Sequence, residues 1–337
     1  MTLNSFRSFR STAAVAAGAA TILALSACGG TAEGETDSGG ESATTKLSIS
    51  ATGVDSLPFM AILQVGVDKG WFKEEGLDVS MFSGGGGGNT LRVVTSGDAD
   101  MAIAGNSSVL LAAKQPSSNL TVVAPWFQVN DFYWIAPKGK SQPLDKATLG
   151  FSSAGSSTEL LVKGLEKKLG VKSQAVGGMG DNWTAAKAGE VTAGWAMHPF
   201  LTQKQEEEGA EVLVSAREHL GDVPADLVAV NSDYAKANPE NLRKFFKVSQ
   251  RLMDYVVQDS AAAAKDIAPI VKVDEAIVAK ALADTPDLEK AYSLKVDAKA
   301  LENLSSLMVD AGQLTDPVDW SKTLDQQYLS ESDRATF

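Results

Sequence analysis

Residues 46–82 read KLSISATGVDSLPFMAILQVGVDKGWFKEEGLDVSMF, and a strand, a helix and a second strand follow one another within them. Residues 46–51 alternate apolar and polar side chains, the period of a half-buried strand. Pro58 supplies a fixed φ where a helix begins, and residues 59–69 carry apolar side chains at helical spacing. Gly70 can take the left-handed conformation that closes a helix. Residues 77–82 return to strand character. Two strands separated by a helix of this length form a parallel β-α-β unit.

The cycle repeats downstream. The glycine run Gly84, Gly85, Gly86, Gly87, Gly88 leads into a helix capped by Asn89 or Thr90 and ending near Thr95. Residues 100–104 form a third strand, Asn106, Ser107 and Ser108 open a helix to about Lys114, and residues 120–126 form a fourth strand. A second set starts near Asp131, with strands at 132–136, 148–152, 174–176, 192–196 and 212–215 and helices at 182–188 and 201–208. Ser156 with Glu159 three residues on has the form of a capping box opening a further helix. Residues 225–231 form a strand that leads back. From Pro239 onward the periodicity is helical, with breaks expected at Pro269, Pro286 and Pro317. This alternation predicts an α/β protein of two lobes with an interlobe cleft and a helical C-terminal tail. Lobe 1 is discontinuous, 46–128 plus 221–337, and lobe 2 is 129–220. Parallel sheets are expected in both.

The first residues have another character. Arg7 and Arg10 precede an apolar, alanine-rich stretch at 12–25, too short to span a bilayer and laid out like a secretory signal peptide. It ends in Leu25-Ser26-Ala27-Cys28-Gly29, which resembles the lipobox of bacterial lipoproteins, and Cys28 is the chain's single cysteine. The expectation is a signal peptide over 1–27 and a lipidated Cys28. Between Gly29 and Thr45 nothing is larger and more apolar than alanine, so 28–45 read as a flexible tether. The lipid would be the only membrane attachment, on the extracytoplasmic face.

With 30 Lys and Arg against 42 Asp and Glu, the net charge of −12 argues against nucleic acid as a partner. One cysteine excludes an intrachain disulfide framework and Cys-rich zinc sites, and two histidines leave little for a metal centre. No metal and no cofactor are expected.

Several stretches, taken in order, resemble the substrate-binding proteins of ABC importers in the sulfonate, taurine, nitrate and thiamine-pyrimidine group. Pro58-Phe59 followed by Gly70-Trp71-Phe72-Lys73-Glu74-Glu75-Gly76-Leu77-Asp78-Val79 is similar to that family's opening helix and turn. The Gly84 to Gly88 loop and Ser96-Gly97-Asp98-Ala99-Asp100 follow. Gly155-Ser156-Ser157-Thr158 is similar to the second-lobe "G-S-S-T" loop. Ala185, Ala186, Gly189-Glu190-Val191 and Pro199 come next, and then Asn238-Pro239-Glu240. The likeness runs from about Lys46 to Leu329. One departure is Thr192-Ala193, where the family usually has an acidic "D-A". The resemblance implies a monomeric extracytoplasmic solute-binding protein serving a separate ABC permease, with a small organic sulfonate or related nitrogen or sulfur compound as ligand. A heterocycle, such as a thiamine-type pyrimidine or a flavin-like molecule, is the alternative.

Helix N-termini at an interlobe cleft capture anions through free N–H groups. Candidate contacts are therefore Asn106, Ser107 and Ser108 in lobe 1 and Ser156, Ser157 and Thr158 in lobe 2, with simple capping as the competing use. Gly85 and Gly86 would let backbone approach a ligand, and Ser56 and Leu57 precede the first helix. The glycine run is not a Walker loop, because Asn89 stands where its Lys is needed and Ser83 replaces its first Gly. Four of the six tryptophans, Trp126, Trp134, Trp183 and Trp195, are expected toward the interlobe region with Phe127, Phe132 and Tyr133, which points to an organic ligand. His198 could donate to an anion, and Asp131, Asp181 or Asp226 could pair with a ligand amine. Catalysis is not expected: residues 150–154, GFSSA, miss the final Gly of a nucleophile elbow, and neither histidine has an evident Ser and Asp partner.

Overall fold

The computed structural model describes residues 44–140 and 142–337. The anticipated signal peptide, Cys28 and nearly all of the tether lie outside the described residues.

The first half lays down β1 (Thr45–Ala51), α1 (Pro58–Asp68), α2 (Trp71–Glu74), β2 (Leu77–Ser83), α3 (Gly87–Thr95), β3 (Met101–Gly105), α4 (Asn106–Ala113) and β4 (Leu120–Trp126). Alternation in β1 sends Leu47, Ile49 and Ala51 into the core, all fully buried. Gly70 ends the turn after α1 at φ 74, in the left-handed region its side chain-free backbone tolerates. Helix α3 begins earlier than expected, with Gly86 as its cap. Thr90 already lies inside the first turn, its N–H and hydroxyl both directed to the Gly86 carbonyl at 2.9 and 3.0 Å.

The second half contains β5 (Tyr133–Ala136), β6 (Thr148–Phe151), α5 (Ser157–Leu169), β7 (Lys172–Ala175), α6 (Met179–Ala188), β8 (Gly194–Ala196), α7 (Phe200–Glu208), β9 (Glu211–Ser215) and α8 (Ala216–Leu220). The chain then returns through β10 (Asp226–Asn231) and α9 (Ser232–Ala237). The tail follows as α10 (Pro239–Gln258), α11 (Ser260–Val271), α12 (Glu275–Asp284), α13 (Leu288–Ala291), α14 (Ala298–Asp310) and α15 (Trp320–Thr323).

The sheets are mixed, not parallel throughout. In the first, ordered β2-β1-β3-β10-β4, β1 runs parallel to β2 and β3, whereas β10 is inserted antiparallel to both neighbours. The reason is topological. β10 re-enters from the side on which β3 and β4 end, so it must run the other way. β5, the strand entering the second half, is likewise antiparallel to β8 and β9, while β6 and β7 are parallel. The Thr192 departure has a local account: its hydroxyl accepts the Thr148 N–H at 3.0 Å, a task a carboxylate oxygen could also perform.

Pro269 does not break its helix. It sits two residues before the end of α11, which then closes on Lys272 at φ 56. Only one carbonyl partner near the helix end is lost there, a small cost beside that of a mid-helix proline. The tail also touches both halves: α1 packs on α10 and α11, while α12 meets α7 and α14 meets α5.

Two crossing segments, 127–132 and 221–225, join the halves side by side. The Ala225 N–H donates to the Phe127 carbonyl at 2.9 Å and Asn130 Nδ2 to the Gly221 carbonyl at 3.0 Å. Gln128 Nε2 holds the Ser293 carbonyl at 2.7 Å, and Asp222 pairs with Arg217 at 2.8 Å and Lys290 at 3.0 Å.

Candidate functional site

A cavity of about 810 Å³ lies between the two halves. Four helices begin on its wall: α3 with Gly87 and Gly88, α4 with Ser108, α5 with Ser157 and Thr158, and α6 with Gly178 and Met179. The N–H groups of a first helical turn have no partner within the helix, and the aligned peptide dipoles leave about half a positive charge at that end. The wall is therefore polarised for a negatively charged group without needing a lysine.

The glycine run is a steric requirement as well as a lining. A Cβ on Gly84 would stand 2.6 Å from Thr90 Cα, and one on Gly87 would stand 2.9 Å from Ser108 Cβ. Gly86 adopts φ 145, a conformation costly for any other residue.

Between the cavity and the crossings the halves touch directly. Ser107 and Ser108 each donate to the Gly155 carbonyl at 3.1 Å, and Ser157 Oγ donates to Asn106 Oδ1 at 2.9 Å. A Cβ on Gly105 would meet Ser157 Oγ at 2.6 Å, so a larger residue there would turn that hydroxyl away from Asn106. The cap of α5 departs from the expected box: Ser156 accepts the Glu159 N–H at 3.1 Å, but Glu159 reaches back to the Gly155 N–H at 2.7 Å.

Of the candidate contacts, Ser56, Leu57, Gly85, Gly86, Ser108, Ser156, Ser157, Thr158, Trp195 and Asp226 lie on the cavity wall. The others are placed elsewhere, each for a physical reason. Asn106 is fully buried, its Nδ2 donating to the Pro224 carbonyl at 2.6 Å, and Ser107 is occupied in the seam. Phe127 stacks on Phe59 at 4.0 Å and meets Tyr292 edge-on at 5.5 Å. Trp183 packs with Ile135, Ala196 and Leu201, its indole N–H donating to Glu208 at 3.0 Å. His198 Nδ1 lies 2.6 Å from Thr202 Oγ1, and burial lowers its pKa to about 4. Trp126 and Trp134 are fully buried core residues, so of the four tryptophans Trp195 alone, with Phe132 at 6.3 Å, lines the cavity.

Asp131 is buried in the first crossing. Desolvation raises its pKa to about 8 despite the Tyr133 hydroxyl, the His198 N–H and the Arg217 charge, and its Oδ1 has no partner. Asp226, the first residue of β10, is raised to about 7, with burial as its cause.

Ser108, the third of the residues opening α4, is also on the wall, whereas sequence reasoning missed Arg92, Ser152, Met179 and Met197, all on the wall. Arg92 is exposed and is the one cation among the described lining residues. Nothing in the sequence singled it out: with the helix expected to start at Asn89 or Thr90, Arg92 falls in its first turn, whereas α3 begins at Gly87. Among the described residues no group of three or more His, Cys, Asp or Glu is placed to hold a metal ion, and no helix is long and apolar enough to cross a membrane.

Comparison with known proteins places this geometry. YtlA of Bacillus subtilis (strain 168) is 27% identical over 231 residues, which are 64% of this chain and 66% of YtlA, just under two thirds of its length. The alkanesulfonate-binding protein SsuA from Xanthomonas axonopodis pv. citri, solved with MOPS bound, superposes with a TM-score of 0.65 at 15% identity. The match covers 83% of this chain and 97% of that one. The desulfurization enzyme DSZB has a TM-score of 0.61 at 13% identity, covering 85% and 98%. These likenesses establish the two-lobed periplasmic-binding-protein fold, and the fold by itself serves both binders and an enzyme. The family description "NMT1/THI5 like" matches residues 58–263, well over half of the sequence, and the chain belongs to the NMT1/THI5-like family.

Proposed function

We propose that this protein is the extracytoplasmic solute-binding component of an ABC importer, taking a small organic sulfonate or a related nitrogen or sulfur compound between its lobes. The observation that carries this reading is the convergence of four helix N-termini on one cavity of about 810 Å³ between two halves joined by paired crossings. A ligand touching both halves favours their approach, because it gains contacts only when they are close. Lobes 46–128 plus 221–337 and 129–220 are the moving bodies, with α12 and α14 spanning the division.

Binding without turnover is part of the proposal: the serine and threonine hydroxyls and the Asp55 and Asp226 carboxylates of the wall are taken as ligand contacts, not as a reacting set. The Phe132 and Trp195 rings favour, as a second reading, a planar heterocycle such as a pyrimidine or a flavin-like molecule. In the proposal Cys28 carries the lipid that holds a monomer at the membrane, and the permease and its ATPase are separate chains.

Two experiments test this. Native mass spectrometry and titration calorimetry against sulfonates and heterocycles are expected to give saturable one-to-one binding with the solute recovered unchanged. Consumption of the solute would overturn the reading. Expressed in a lipoprotein-processing bacterium, the chain is expected to take up labelled palmitate and Cys28→Ser is not. Equal labelling of the two would refute the anchor.

A further inference from the structure

Asp226 opens β10 opposite Gly105 of β3 and Trp126 of β4, on the wall of the cavity and only 6% exposed. Among the described residues no hydrogen bond and no ion pair reaches its carboxylate. The other charged side chains on the wall are Asp55, in the loop before α1, and Arg92 on α3, both exposed. No charged residue of the neighbouring β3, β4 or α4 accompanies it.

A buried carboxylate ordinarily has donors, because desolvating an unpaired charge is expensive. The nearby polar groups are spent on one another: Asn106, Ser107, Ser108 and Ser157 close the seam, and Ser152, Ser156 and Thr158 are joined at 2.8 and 2.9 Å. The carboxylate is thus left facing the cavity. Asp226 pairs in register with Gly105, the cap of α4, and the first turns of α3, α5 and α6 lie on the same wall; their free N–H groups suit an anionic group, which a carboxylate would repel. One wall thus carries both helix N-termini and an unpaired carboxylate, which suit different groups of one solute.

Resting on the reading of the cavity as a solute site, we propose that Asp226 determines specificity by binding an ammonium or N–H donor of the ligand while the helix N-termini hold its anionic end. The solute is then a compact zwitterion or an N–H-bearing anion, not a plain alkyl anion. A charge-assisted hydrogen bond formed out of water discriminates strongly, since a solute lacking the donor leaves the carboxylate unpaired.

The test compares matched solutes by titration calorimetry at pH 7.5 on the described body of the protein with its tether. The pairs are 2-aminoethanesulfonate against ethanesulfonate and 4-aminopyrimidine against pyrimidine. At least tenfold tighter binding of the amino member is expected in one pair, with the preference falling below about threefold in Asp226→Asn. Equal affinities within every pair that binds would overturn the role of Asp226 while leaving the solute-binding function standing. A preference that persists in Asp226→Asn would overturn it also. Failure of every solute, including a wider metabolite panel, would overturn the proposed function and this inference with it. The wild-type comparison decides the matter even if the variant is poorly folded.

Discussion

Replacing Asp226 by asparagine in the empty protein removes a buried acid and keeps its shape. Burial raises the carboxyl from 3.8 to about 7, which at about 1.4 kcal/mol per unit amounts to roughly 4 kcal/mol. Between these two values the unfolded chain has released its proton while the folded protein retains it. The folded state then binds more protons, so stability falls as pH rises from about 4 to about 7 and levels off above. Asparagine does not titrate. Wild type and Asp226→Asn should therefore be similarly stable near pH 4, with the variant gaining up to roughly 4 kcal/mol by pH 8. At about 2.1 cal/mol/K of unfolding entropy per residue, a folded body of this size would melt roughly 6 °C higher in the variant. Asp131, also raised, titrates in both proteins and cancels in the difference. Differential scanning calorimetry of the ligand-free pair from pH 4 to 8 reads the effect. A gap that does not widen with pH, or a wild type more stable at pH 8, would refute the picture of an unpaired buried carboxylate.

Trp183→Ala should lower stability by about 3–5 kcal/mol, because the ring is buried in the second half, and chemical denaturation reads this directly. Trp195→Ala, on the cavity wall, should instead weaken ligand binding about tenfold or more with a smaller loss of stability, and the reverse ranking would exchange their roles. Gly105→Ala places a methyl group 2.6 Å from Ser157 Oγ and displaces its bond to Asn106; a loss of about 1 kcal/mol, or roughly fivefold in solute affinity, is expected by calorimetry. His198, lowered to about 4 by burial, should stay neutral from pH 5 to 8, and its ring proton shifts should be flat over that range by NMR.

The elements were legible where period and punctuation agree. β1, α1 and the Gly70 turn follow from alternation, a leading proline and a glycine, because each is a local preference that burial then reinforces. Strand direction was not legible. Nothing in the residues 226–231 distinguishes a strand running parallel from one that re-enters from the far lobe, and that difference is set by topology. The site divides in the same way. Glycines and helix-opening serines mark a cavity wall from sequence, since their backbone role is local. Whether a hydroxyl faces a ligand or a partner depends on contacts between segments about 50 residues apart. Ser107 and Ser157 look alike in sequence, yet the first is spent on Gly155 while the second both holds Asn106 and borders the cavity. The aromatic residues misled for a related reason: large rings fill cores, and Trp126, Trp134 and Trp183 do so here.

A chain of net charge −12 is at first sight a poor receptor for an anionic solute. The range of the forces resolves this. At physiological salt the field of surface carboxylates is screened within about 8 Å, so a solute inside the cavity feels mainly its immediate wall. That wall offers the ends of four helices and the exposed Arg92, whereas its carboxylates are the exposed Asp55 and the buried Asp226. Local dipoles in a partly desolvated cavity outweigh distant screened charges, because their interaction rises as water is excluded and theirs alone is oriented at the ligand. The overall acidity then acts on encounter more than on affinity: it slows the approach of anions at low salt, and this penalty fades as ionic strength rises. A zwitterion of the kind proposed escapes even that, since it carries no net charge to be repelled before it enters the cavity.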